Sequence, residues 1–471
     1  MAALEAERPS LTGRASGARA APHALAAPGL AALLSLPFVF LHVKYAGGFS
    51  FSLGSASISV VVADLAVLAV AAAGLVAGLR LGFAPLRAGR TVWTVSAALL
   101  ALIVASTAYG AVRFGSYPLA DHLVTAVKYG EYALLAPAVA LIARTRRDRR
   151  LLLAGLMAWA LCASAYGFAQ FVGLVGGLDG EQRPLLREPS FLGYEDFSVL
   201  ATGALALALA GILLAGATTR LDRATTWAAG CAGAVGVILA GGLSGVLGIA
   251  TALAGALVLA RLRRELTLRR AAAATALVGV VLLGTMLMRS NDISQFFRFL
   301  GVESHRSAET GQVESYSQRT VLAWIGLQIF RDDPLLGVGW QGSRDEYAYG
   351  PQLAAARARF PDEPARTFPS PEHPWGVHNA YIQALADMGL AGGVFYVGFF
   401  GIVILVGARA TLRSVPGAAR DALVPTLWLL ALVGLQNGRG IVAGIPLDAL
   451  QWIAAGLVVA AAWEVQRARA R

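Results

Sequence analysis

Charge is scarce in this chain: 14% of its 471 residues are charged and 57% are hydrophobic. Apolar runs recur at about 20 residues, the length a helix needs to cross a bilayer, which excludes a soluble globular protein. Cysteine is nearly absent. The two present, Cys162 and Cys231, fall inside apolar runs, where a buried thiol behaves as a small hydrophobe, so neither a disulfide framework nor a zinc site is expected. Lysine is as rare: Lys44 and Lys128 stand against 37 arginines. There is no Asp-x-Asp pair to hold a divalent cation against a sugar nucleotide and no Gly-x-Ser-x-Gly elbow for acyl chemistry. Glu372, His373 and His378 could gather a metal only across Pro374, which breaks helical spacing, so neither metal nor cofactor is expected.

What the chain does have is a series of apolar spans near 24–43, 57–79, 92–110, 122–143, 151–176, 194–216, 226–241, 243–260, 271–289, 389–408, 422–436 and 441–463. The seventh and eighth are separate helices only if Gly241-Gly242 makes a hairpin. Arg and Lys concentrate in cytoplasmic loops of membrane proteins. With the hairpin in place and the N-terminus inside, the seven cytoplasmic segments hold 24 Arg and Lys; the short outer loops hold only Lys44, Arg113, Arg183, Arg187 and Arg439. The fold expected is therefore an all-α integral membrane protein of about twelve helices, both termini cytoplasmic, with one large extracytoplasmic loop containing short helices. Its parts are a tail (1–23), nine helices (24–289), the loop (290–377), three helices (378–463) and a second tail (464–471). The first tail resembles the n-region of a signal sequence, but with no clear cleavage site its apolar span reads as a retained helix. The net charge of +11 is spread over helix ends, not clustered with aromatics, so it marks topology and implies no nucleic-acid partner.

Ionisable groups within the bilayer are costly and usually functional. Asp64, Lys128, Glu131, Glu195, Asp196, Asp387 and Asp448 all fall in the outer halves of their helices under this topology, and Lys128 and Glu131 have the spacing to pair on one helix face. A transporter places its groups near the midplane of two repeated halves, and no such repeat is visible. Within the loop, Ser315 to Phe330 reads as a capped, largely apolar helix that must lie on the membrane or pack on the bundle. Arg319 in its first turn opposes the helix dipole, which makes sense if an anion visits the amides there; a solvated Arg, or one paired with Glu314, is the plainer reading. Gly337-Val-Gly339-Trp-Gln-Gly342 matches a dinucleotide fingerprint as a string, but without a strand-turn-helix frame it reads as a turn. His378 opens a short amphipathic helix ending at Gly389, and a helix N-terminus disfavours the charged imidazole, leaving a neutral base.

The string His378-Asn379, nine residues, Gly389, two residues, Gly392, with Gln318-Arg319, Trp324 and the PLLGVG of 334–339, resembles the O-antigen ligase and O-antigen polymerase superfamily. Members are similar in being integral-membrane glycosyltransferases that take a glycan from an undecaprenyl-diphosphate donor. The resemblance implies that His378 activates an acceptor hydroxyl and that Arg319 and Arg187, with Arg183 second to them, grip the diphosphate. Glu188 and Asn379 join them as substrate-binding candidates. It also implies metal-independent transfer on the outer face of the plasma (inner) membrane, as an O-antigen or exopolysaccharide polymerase or an O-antigen ligase. The partners are then the lipid-linked glycan, a glycan or lipid A-core or other hydroxyl acceptor, membrane lipid, and other polysaccharide-assembly proteins. A transporter or flippase of lipid-linked glycan is the reading from another class. The chain departs from many members in lacking the arginine of a Ser-Arg-Gly motif at Ser244-Gly245 and in carrying Glu188-Pro189-Ser190 where many ligases have Pro-Asn.

Overall fold

In a computed structural model the protein is described over residues 26–470, apart from 43, 46, 54–55, 183, 215–219, 291–314 and 442–445. The first tail, Arg183, Glu314 and the first part of the loop lie outside the described residues. The chain is almost wholly helical: α1 (Ala26–Val39), α2 (Val62–Leu81), α3 (Arg90–Arg113), α4 (Leu119–Ala133), α5 (Leu135–Ile142), α6 (Arg146–Phe171), α7 (Tyr194–Leu213), α8 (Arg220–Ala240), α9 (Leu243–Leu262) and α10 (Leu268–Met288) precede the loop. Within the loop lie α11 (Ser315–Asp332), α12 (Glu346–Tyr349) and α13 (Leu353–Arg359), and α14 (Ala380–Arg413), α15 (Ala418–Leu435) and α16 (Pro446–Arg469) follow it.

Ten helices among the described residues are long and apolar enough to cross a membrane, against twelve expected. The difference lies in two spans. α1 has 14 residues, and the fourth span is broken into α4 and α5 at Leu134. Pro137 causes the break, because it has no N–H to donate and its ring clashes with the carbonyl four residues back, that of Ala133. The pair still carries the chain across the bundle. His122 in α4 bonds Asp345 of the loop, while Arg144, just past α5, donates to the Leu81 carbonyl at 2.7 Å at the other end. A second difference is a hairpin of β1 (Gly48–Leu53) and β2 (Ala56–Val61), where helix was expected from residue 57. Its register pairs Phe49 with Val60, Ser50 with Ser59 and Phe51 with Ile58, so alternation puts apolar side chains on one face and serines on the other.

α8 and α9 are separate helices. Gly241 has φ 61, a left-handed conformation that glycine adopts without strain, and α9 starts two residues later. From that turn α8 packs on α7 and α9 on α15. Among the membrane-length helices α7, α15 and α16 are the most buried; Trp428 of α15 lies over Gly203 and donates its Nε1 to the Val199 carbonyl at 3.1 Å. Two expectations about single side chains change. Lys128 reaches across to α2 and donates to both carboxylate oxygens of Asp64, at 2.9 and 2.7 Å, instead of pairing with Glu131. Cys162 and Cys231 are exposed on their helices, not buried.

Candidate functional site

α11 begins at Ser315 and runs to Asp332, two residues past the expected end. Its apolar face does not lie bare: Val321, Ile325 and Ile329 pack with Val338, Tyr349, Ala356 and Phe368 into a small core of the loop's own, which also takes in Ala386 of α14.

The loop is strapped to α14 by its glycine-rich turn. Val338 N donates to the Ala386 carbonyl at 3.0 Å and Gly339 N to the Asp387 carbonyl at 2.9 Å. The wholly buried carboxylate of Asp387 accepts from Gln341 N, Ser343 N and Gln383 Nε2. Three donors on one anion offset its loss of water. Gly337 and Gly339 have φ 68 and 101, and a Cβ at Gly337 would lie 2.5 Å from the Ala386 oxygen, so close approach explains both glycines. No cofactor cradle is needed to account for them.

α14 is interrupted at Gly389, whose φ 64 and ψ −161 belong to a region only glycine occupies readily. Residues 380–388 are thus a short piece distinct from the long helix beyond. The returning chain crosses at that break: Leu390 N donates to the Pro334 carbonyl at 2.8 Å. His378 sits just before the short piece, and Asn379 caps it, its Oδ1 accepting from Tyr381 N and Ile382 N at 3.1 Å each. The acceptor oxygen of Asn379 is therefore committed to the helix, which leaves only Nδ2, 3.5 Å from the Asn437 carbonyl, for a substrate.

His378 is largely enclosed. Burial pushes its pKa below the ordinary value, and the Arg319 guanidinium lowers it further, while Glu195 in the first turn of α7 acts in the opposite sense. Its neutrality thus has a stronger cause than the helix N-terminus alone. Arg319 reaches toward Gly438, where a Cβ would stand 3.5 Å from Nη1 and 2.6 Å from the Ser244 Cβ. Ser244 lies in the first turn of α9, three residues after Gly241, and Gly241 is flanked by Arg187, whose Cβ would lie 3.2 Å from an added Cβ there. Arg187 itself stacks over the Tyr194 ring at 4.6 Å, and Glu188, buried beside it, donates its backbone N–H to the Leu239 carbonyl at 2.8 Å.

These contacts gather His378, Arg319, Arg187, Glu188 and Asn379 at one end of the bundle, around the α8–α9 turn. Two more residues join them. Arg289, buried at the end of α10, donates to the Gly241 carbonyl at 3.1 Å and so stands beside Arg187. Glu195 is near enough to His378 for its charge to act on the imidazole. In the sequence Arg289 is simply where an apolar run ends; only its burial singles it out. Residues 227–397 match the family model described as O-antigen ligase, a stretch that starts in α8, ends in α14 and contains Arg289, Arg319 and His378 but not Arg187. Among curated proteins none matches the chain.

Proposed function

We propose, from the match of residues 227–397 to the O-antigen ligase family model, that the chain is a glycosyltransferase moving a glycan from an undecaprenyl-diphosphate donor to a hydroxyl acceptor on the outer face of the plasma membrane. Polymerase and ligase activities share this chemistry and differ only in the acceptor. The observation that carries the reading is His378, largely enclosed, with the Arg319 guanidinium near enough to help hold its pKa below the ordinary value.

The roles follow from the bonds exchanged. Neutral His378 takes the proton of the acceptor hydroxyl, the oxygen bonds to the anomeric carbon, and the bond from that carbon to the diphosphate breaks. The leaving diphosphate carries the electron pair away, and guanidinium groups of Arg319 and Arg187 stabilise the charge that develops on it. Asn379 acts through the cap that fixes where His378 stands, and Glu188 through the loop that presents Arg187. Arg183 belongs to the same segment.

The test is complementation of a strain lacking the chain. With His378→Ala or Arg319→Ala the expected result is loss of elongated or attached glycan while the lipid-linked unit still reaches the outer face. Unchanged glycan in both variants sinks the transferase reading, and failure of the lipid-linked unit to reach the outer face supports transport instead.

A further inference from the structure

A second site lies at the end of the bundle away from His378. α6 and α8 are held together midway, where Ser164 Oγ donates to the Ala232 carbonyl at 2.7 Å. From there toward the start of α6 they part. Small residues face each other across the gap, Ala154 and Ala158 on α6 and Ala228 and Ala229 on α8, with Leu207 of α7 among the lining residues. The cavity measures about 390 Å³, in the range of about 300–1,000 Å³ usual for small-ligand sites. From Arg150 to Leu161, the deepest lining residue of α6, the helix rises about 16 Å, a little more than half of a hydrocarbon core about 30 Å thick. The groove therefore reaches through one leaflet and stops.

Its mouth is charged and built. Arg420, buried, donates to Thr226 Oγ1 at 2.9 Å and stands 3.8 Å from Asp222. Arg150 bonds Asp421 at 3.2 Å, and Arg146 bonds the same carboxylate. Asp148 is occupied as the cap partner of Thr145. Arg147, exposed, lines an adjoining hollow with Arg146, Arg150 and Ala154. Four guanidinium groups thus stand among three carboxylates, and the apolar slot opens beside Arg150, Arg420, Asp222 and Asp421.

We propose that this groove holds one anionic phospholipid of the leaflet away from His378, with an acyl chain between α6 and α8 and the phosphate at Arg147, Arg150 and Arg420. Basic pockets between transmembrane helices favour acidic headgroups for this reason. The donor lipid is not the occupant, because the groove closes before the end where His378 stands. The proposal is independent of the transferase reading.

Native mass spectrometry of the purified full chain, given dioleoyl phosphatidylglycerol or dioleoyl phosphatidylcholine, tests it. One phosphatidylglycerol is expected to be retained at least tenfold in preference. Ala158→Trp, or Ala228→Trp from the facing helix, fills the slot at an exposed position and is expected to abolish retention. Arg147→Gln with Arg150→Gln leaves Asp421 its bond to Arg146 and is expected to weaken retention at least fivefold. Equal retention of the two lipids, or phosphatidylglycerol retained unchanged in the tryptophan variants, overturns the proposal. So does undecaprenyl phosphate held in preference to phosphatidylglycerol.

Discussion

At His378 the arrangement makes a prediction that geometry alone would not. A base works in its neutral form, so a pKa held below about 6.5 keeps it competent as pH falls. Rate should drop only where pH passes below the lowered pKa. Arg319→Gln removes a cause of the lowering, so the acid limb of kcat/KM should move to higher pH, and Glu195→Gln should move it to lower pH. Opposite shifts of the limb in an in vitro transfer assay are the expected outcome; coincident profiles would disconnect both residues from His378. His378→Ala should cost about 10² to 10⁴ in rate where His378 is neutral. Asn379→Ala loses a cap and should cost about 0.5–2 kcal/mol by thermal unfolding, with Asn379→Asp retaining most of it. His378 and Asn379 were legible because they stand together before a helical pattern. Arg289 and Glu195 were not legible as partners of that pair, because their approach to it depends on how α7, α8 and α10 pack and not on any local spacing.

Elements were legible where one physical rule governs a long run, and missed where a single residue overrides it. Hydropathy finds α2, α6 and α14 because twenty apolar residues outweigh everything local. It takes α4 and α5 as one span because averaging hides Pro137, and it takes residues 57–61 as helix because the serine alternation is shorter than the averaging length. The downstream glycine of the His378 string is the converse case. Gly389 looks like a mere helix stop, yet it breaks α14 where the loop passes, and an added Cβ would sit 2.2 Å from the Leu335 backbone. Gly389→Ala therefore combines a backbone conformation costing about 1–3 kcal/mol with a clash against main chain that cannot move aside. The expected result is loss of the monodisperse peak in detergent size-exclusion chromatography, whereas Gly398→Ala, with open space around it, should elute as the unsubstituted chain does.

For the molecule as a whole, the arginines that guided the sequence reading do physical work at one end. Arg144 ties the α5 end to Leu81, Arg146 and Arg150 tie α6 to Asp421, Arg263 ties α9 to the Thr411 and Ser414 carbonyls, and Arg149 bonds Glu464. Segments expected on the cytoplasmic side, far apart in sequence, thus meet at one end, and His378 stands at the other. From Leu390 to Arg413 the second part of α14 rises about 36 Å, enough to put those ends on opposite sides of a bilayer. Which side is which decides whether an outer-face transfer is possible. After Cys162 and Cys231 are replaced by alanine, a single cysteine at the exposed Glu372, six residues before His378, should react with a membrane-impermeant maleimide in intact cells. A cysteine at the exposed Arg413 should react only once the membrane is permeabilised. The reverse pattern would put His378 in the cytoplasm, where a lipid-linked glycan awaiting polymerisation on the outer face could not meet it.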